Sequence, residues 1–440
     1  MKGLSKSVIK KISKSKNEPD WMLEIRLKAL EHYLKSNTPS WGVDLSSLKD
    51  SQIDFFIKPT KNKARNWEEV PSEMKQVYED LKIPESERKF LAGVETQFDS
   101  NVVYGKIKKK WEDQGVIFTN TEDGLQKHPE LFKKWFGRVV PYSDNKYAAL
   151  NTACWSGGSF VYIPKGVKVE LPLQAYFYIK TKSMGQFERT MIIADEGAEV
   201  HYVEGCSAPI YNSNSLHTGV IELIALENAK IRYTTVQNWS KNIFNLVTQR
   251  GLAFKNSRIE WVDCNIGSKS TMKYPSVILN GDNSSGEVLS ISVADEGQWQ
   301  DTGGKMTHVG KNTSSTITTK SICKNGGRTS YRGLIKIPKG AKNSKSKVVC
   351  DALILDNKSQ TDTYPTNDIS EISAYIEHEA SVSKISEKQL FYSTSRGLTE
   401  EQSRGLLVAG FLEPVTKELP MEYAMEMNEL IRMSMEGSVG

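Results

Sequence analysis

In this 440-residue chain the residue types best suited to metal and sulfur chemistry are Cys350, His378 and Glu379. A thiolate is both a sulfur nucleophile and a soft ligand for iron, and imidazole or carboxylate can complete a coordination shell. A second thiol, Cys206, follows a glycine and precedes a proline in YVEGCSAP. That context reads as a turn, and a turn thiol is more exposed than a strand thiol. Cys154, Cys264 and Cys323 read as small core residues. The five cysteines are odd in number, far apart and without a CxxC pair, so they form neither a disulfide framework nor a zinc ribbon.

Whether these groups meet depends on the elements that carry them. From about residue 150, short runs rich in Val, Ile, Thr, Tyr and Trp alternate with Gly, Asn, Asp and Ser clusters. Segments such as GAEVHYVEG, NAKIRYTTV, NSRIEWVDC, SGEVLSISV, SSTITTKSI, KSKVVCDAL and SAYIEHEAS align on Val200, Ile231, Ile259, Val288, Ile317, Val348 and Ile376, at intervals of 28 to 31 residues. A steady period of that length predicts a parallel β-solenoid, in which stacked coils share one core. A β-sandwich would space its strands at about 8–12 residues.

In a solenoid, equivalent positions stack about 4.8 Å apart. Two residues beyond each central aliphatic, the register makes Cys350 and His378 vertical neighbours. Glu379 then faces the other way, and a one-residue slip would exchange the two ligands. Thiol, imidazole and carboxylate would make a metal half-site that needs ligands from a second subunit. The competing reading is a buried cysteine over a satisfied histidine.

The architecture expected is a mainly β, parallel β-helix core over 146–385, between a mostly helical region, 1–145, and a C-terminal helical region, 386–440. A helix over 21–35 opens after Pro19 and Asp20, read as stop and cap, and a Pro- and Lys-containing linker covers 57–72. The capping box Thr399–Gln402 opens a helix over 400–412, and Pro420 opens another that ends at Gly437. The first 18 residues carry six lysines before any acid and read as a solvated, frayed tail. No secretory signal and no apolar run of about 18 residues is present, which points to a reducing cytoplasm.

The net charge of +5 does not call for nucleic acid or a membrane. Residues 305–349 hold eleven Lys or Arg and no acid. A solvated outer face is the first reading, tuning of the Cys350 thiol the second and nucleic-acid binding the last. No GxxxxGK[ST], GxGxxG, HExxH or GxSxG motif occurs, so ATP hydrolysis is not expected of this chain.

SGGSFVYIPKGV (156–167), YVEGCSAP (202–209), VQNWS (236–240), QDTGGKM (300–306), SYRGL (330–334), CDALILD (350–356), EHEA (377–380), ELPMEYA (418–424) and MEGSVG (435–440) stand in order along the chain. Together they resemble the SufB branch of the SufB/SufD family of the SUF iron–sulfur cluster assembly system. The resemblance runs from about residue 18 onward. It implies a right-handed β-helix and an assembly scaffold rather than an enzyme. It also implies a SufC-type ATPase docked on the C-terminal helices, a SufD-type paralogue or a second copy, and a cysteine desulfurase or sulfur-transfer protein as donor.

By the same resemblance Cys206 would receive persulfide sulfur, and Gln237 and Trp239 would line a sulfur path. Cys350 would accept sulfur or ligate a transient nascent cluster, with Glu379 and His378 as companions. Flavin participation is left open by these motifs. The SufD paralogue lacks the pairing of this cysteine with EHEA. Two departures stand out. Residues 1–153 contain no cysteine, so no ligand comes from there, and Tyr178 and Gln249 replace basic residues of some relatives. The rival readings are a β-helical polysaccharide enzyme and an interaction platform with inert cysteines.

Overall fold

The computed structural model describes residues 3–49, 53–55, 93–98, 101–107, 109–178, 185–207 and 214–417. The expected linker over 57–72 and the expected helix from Pro420 lie outside them. The strands wind into a parallel β-solenoid of about 7 turns. One sheet stacks the strands Glu199–Ser207, Lys230–Trp239, Arg258–Gly267, Ser285–Ala294, Ser314–Cys323, Lys345–Ile354 and Tyr375–Lys384 in that order. The facing sheet includes Arg189–Ala194, Val220–Ala225, Ile243–Ala253, Trp299–His308, Arg328–Ile337 and Gln360–Ile369. Inward side chains alternate with outward ones along each strand, so the two inner faces enclose one continuous core.

Recurrent asparagines make the corners. Asn228, Asn256, Asn283, Asn312 and Asn343 all hold φ between 55° and 61°, a left-handed conformation that Asn tolerates better than most residues. Their side-chain amides then stack: Asn256 donates to Asn228 at 3.0 Å, Asn283 to Asn256 at 3.0 Å and Asn343 to Asn312 at 3.1 Å. One residue type thus bends the chain and joins successive coils.

The coil register follows these turns rather than the aliphatic repeat. Val200, Ile231 and Ile259 stack as expected, and so do Val288, Ile317 and Val348. Ile259, however, faces Gly286 while Val288 faces Trp261, and Ile376 faces Ser346 while His378 faces Val348. The aligned aliphatics are thus offset by two residues at both places. An even slip keeps every side chain on its face, so burial does not penalise it.

Helices cover the outer faces. Lys6–Ser15 is not the frayed tail expected: Ser5 caps it, and Ile9 and Ile12 are fully buried in a cluster with Leu30, Leu150 and Phe244. Each such burial is worth roughly 1.5–3 kcal/mol. The next helix is Asp20–Lys35, with Pro19 rather than Asp20 at the cap. Residues 93–98 and 101–107 form an antiparallel pair of strands that extends the first sheet through Leu173–Tyr178. The capping box at Thr399 is formed and opens Glu400–Thr416, whose Val408, Leu412 and Val415 seal the outer face of the first sheet. Among the described residues no helix is long and apolar enough to cross a membrane.

Candidate functional site

Cys350 points into the bore from Lys345–Ile354, one coil before the last, and is 5% exposed. Its ladder partners are Thr319 on one side and Ala380 on the other, so His378 is not its vertical neighbour. His378 nevertheless shares its face two residues away, and its Nε2 lies 3.9 Å from Cys350 Sγ. Tyr331, from the facing sheet, meets the His378 ring edge-on at 6.5 Å. Glu379 pairs with Val349, faces outward and is exposed. The slip of two residues leaves imidazole, not carboxylate, beside the thiol.

Burial pushes the Cys350 thiol up to about 11, with the Thr319 and Tyr331 hydroxyls pulling against it and Asp351 adding to it. The basic block does not bring it down, and at least four of the block's eleven charges are matched one coil away. Lys320 pairs with Asp351 at 2.6 Å, Arg328 with Asp362 at 2.6 Å, Arg332 with Asp301 at 2.9 Å and Lys336 with Asp368 at 2.8 Å. Tyr331 escaped the sequence reading. The adjacent Gly333 was its signal: a Cβ there would come within 2.8 Å of the Tyr331 ring.

Cys206 is not on an exposed turn. It lies in the strand Glu199–Ser207, 2% exposed, because the glycine and serine around it continue the ladder onto Gln237. Its thiol touches Glu204 Oε1 at 3.5 Å, and Tyr233 donates to Glu204 Oε2 at 2.6 Å. Burial, and next the Glu188 charge, raise Glu204 to about 8. Burial also pushes the Cys206 thiol well above its ordinary value. Glu204 was readable from YVEGC, since residues two apart share a strand face.

A buried network surrounds this thiol. Gln237 Nε2 approaches Cys206 Sγ at 4.0 Å, Asn245 donates to Gln237 Oε1 at 2.8 Å, and Asn245 Oδ1 meets His217 Nδ1 at 2.7 Å. His217 Nε2 meets Glu188 Oε1 at 2.8 Å. With its amide spent on Gln237, Asn245 accepts from His217 Nδ1–H, so the contact of Nε2 with Glu188 needs a second proton, shared between that nitrogen and the carboxylate. Trp239 lies over His217 with ring centroids 4.8 Å apart.

The two thiols belong to one interior core. Successive ladder partners run Glu204, Thr235, Asp263, Ser290, Thr319, Cys350 without interruption. A parallel column runs Cys206, Gln237, Asn265, Ser292. All these side chains are buried, and the Thr235 and Ser290 hydroxyls have no hydrogen-bond partner among the described residues. Lys273 reaches Asp263 across the bore at 2.5 Å, both nearly fully buried. Five inter-strand steps of about 4.8 Å put the column's ends roughly 24 Å apart.

The other predicted positions sort as follows. Gln249 is buried at 1% exposure with its Oε1 unpartnered, and the Tyr178 side chain lies outside the described residues. Cys154 is buried beneath the N-terminal helices, and Cys264 beneath the helix Glu400–Thr416. Cys323 is fully buried.

The chain matches the family model "SUF system FeS cluster assembly, SufBD core domain" over residues 177–411 and that of the SufBD protein N-terminal region over 7–175. It is 54% identical over 439 residues to an iron–sulfur cluster assembly SufBD family protein of Staphylococcus aureus strain USA300, covering 100% of this chain and 94% of that one. It is 53% identical to a protein so named from Staphylococcus saprophyticus, with the same coverage.

Proposed function

Because the chain belongs to the SufBD family of iron–sulfur cluster assembly proteins, we propose that it is the SufB-type scaffold, taking sulfur at Cys206 and building a nascent cluster at Cys350. The observation that carries this reading is the buried polar column between the two thiols. Burying a hydroxyl without a partner costs free energy that an aliphatic side chain would avoid. A stack built for stability alone would continue the neighbouring column of Val288, Ile317 and Val348 instead.

In the proposed sulfur step the ionised form of Glu204, a minority at neutral pH because burial raises this carboxyl to about 8, takes the Cys206 proton. The thiolate attacks the outer sulfur of a donor persulfide, a new S–S bond forms, and the donor's thiolate leaves. Two external thiols, which end as a disulfide, supply the two electrons that break the Cys206 S–S bond, release the outer sulfur as hydrosulfide and restore the Cys206 thiol, and the polar column offers that anion hydroxyl and amide donors towards Cys350, past Gln237 and Trp239. At Cys350 the thiolate and the His378 imidazole supply two ligands to iron. Both final strands, Gln360–Ile369 and Tyr375–Lys384, lack a further neighbour among the described residues and expose Tyr364, Ile369, Tyr375 and Val382. That open end suits a SufD-type paralogue or a second copy, which would complete the shell and bring Glu379 into use. A SufC-type ATPase on the C-terminal helices would open this interface. The pairing of Cys350 with EHEA supports the SufB assignment over SufD.

Anaerobic reconstitution with iron and sulfide, followed by visible absorption, tests the reading. Wild type is expected to develop sulfur-to-iron charge-transfer bands that Cys350→Ser lacks. Equal bands in both would remove Cys350 from the ligand set. Cys206→Ser is expected to lose assembly from a persulfide donor while keeping assembly from free sulfide.

A further inference from the structure

Cys206 belongs to a second group of potential ligands. Glu188, Glu204 and Cys206 each offer an atom within 4.8 Å of the other two, and all three are at most 2% exposed. Their hydrogen bonds leave a gap. Glu188 Oε1 is held by His217, but its Oε2 has no hydrogen-bond partner among the described residues. Glu204 Oε2 is held by Tyr233, and its Oε1 meets only the weak Cys206 donor at 3.5 Å. The nearest lysine, Lys273, is already paired with Asp263. Apart from the proton shared by His217 and Glu188, no cation among the described residues sits between the two buried carboxylates and the thiol, and an unpartnered buried oxygen costs free energy.

We propose that Glu188, Glu204 and Cys206 bind one divalent cation of borderline softness, of the zinc or ferrous class, inside the solenoid bore. A thiolate with two carboxylates suits such ions better than magnesium or calcium, which prefer all-oxygen shells. His217, itself fixed by Asn245, orients Glu188 from behind, as outer-shell partners of metal ligands do. Binding displaces the protons of Cys206 and Glu204 to solvent, so the ion replaces two protons with one double charge. The site is distinct from Cys350 and does not depend on that residue's role. It does compete with sulfur transfer, because a metal-bound Cys206 thiolate cannot also attack a persulfide.

Cobalt(II) is the probe, since thiolate coordination gives it a near-ultraviolet charge-transfer band. The full-length chain carrying Cys350→Ser, which removes the other candidate thiolate, is produced in cobalt-supplemented medium to load the buried site during folding. The expected result is about one cobalt per chain with the thiolate band, lost when Cys206→Ser is added while the circular dichroism spectrum is kept. Zinc supplied together with cobalt during folding should take the site in its place, and His217→Gln should weaken cobalt binding roughly 10–100-fold. No band in the Cys350→Ser chain, a band surviving in the double variant, or failure of co-supplied zinc to take the place of cobalt would overturn the proposal. Cluster assembly at Cys350 is scored separately in wild type, so either idea can fail alone.

Discussion

His378 Nε2 stands 3.9 Å from Cys350 Sγ although the His378 backbone pairs with Val348, not with Cys350. The contact is diagonal, across a coil whose register has slipped by two residues. Two inward-facing groups on adjacent parallel strands can meet in this way because long side chains reach diagonal neighbours. Thr319 behind the thiol and Tyr331 across the bore complete its surroundings.

This environment sets the reactivity of Cys350. A thiol pushed from an ordinary 9.0 to about 11 holds about 100-fold less thiolate at neutral pH, partly offset by its greater intrinsic nucleophilicity. Alkylation of the native chain, followed at the Cys350 peptide by mass spectrometry, should be at least about 10-fold slower than for a free thiol near neutral pH and should keep rising about tenfold per pH unit until it levels off near 11. Tyr331→Phe removes a donor to the thiolate and should slow it further. An inflection at the ordinary thiol value would contradict the burial argument.

The ion pair of Arg189 with Glu222 tests what holds the first coils to the segment before them. Both side chains are fully buried at 2.5 Å, and Glu222 also accepts from the backbone N–H groups of Gly137, Val139 and Val140. Arg189→Met strands a buried carboxylate and should cost about 3–5 kcal/mol in urea unfolding. Adding Glu222→Gln should recover part of the loss, because the amide oxygen still accepts from the backbone while the charge is gone. No recovery would mean that lost packing, not the stranded charge, dominates.

The repeat was legible because aliphatics at a steady interval mark a solenoid whatever the details of its turns. The register at His378 was not, because corner geometry sets it and an even slip leaves the hydrophobic pattern unchanged. Cys206 was misread for a related reason. Gly205 and Pro209 suggest a turn locally, but the Gln237 strand alongside holds Gly205 to Ser207 in a ladder. The network of Glu188, His217 and Asn245 joins residues from three strands or their approaches, and only the stacking of coils brings them together. Lysines 6 to 16 looked like a tail because charge was counted before the 3.6-residue spacing of Val8, Ile9 and Ile12.

Histidine 308 should make the fold acid-sensitive. Its ring is buried between Thr313 and Ser315, with contacts of 2.8 and 2.9 Å, and burial lowers it from 6.5 to about 4. Between those values the unfolded chain binds a proton that the folded chain does not. Stability contributed by the neutral ring is therefore complete above pH 6.5 and is lost as pH falls towards 4, by up to about 3 kcal/mol. His308→Gln should flatten the dependence of the urea midpoint on pH across that window. An unchanged slope would assign the acid sensitivity to other groups, half-buried His201 first among them.

The polar column separates stability from function most sharply. Thr235 and Ser290 are 1% exposed, and neither hydroxyl has a hydrogen-bond partner among the described residues. Thr235→Val keeps the side-chain shape and Ser290→Ala removes one atom, so each relieves an unsatisfied group and should stabilise the fold by about 1 kcal/mol or leave it unchanged. If the column conducts sulfur anions, the double variant should lose most assembly from a persulfide donor while reconstitution from free iron and sulfide stays near wild type. A merely structural column predicts no loss in either assay. Loss in both, with the stability gain intact, would mean that these hydroxyls act at the cluster itself, which their positions one and three strands before Thr319 do not favour.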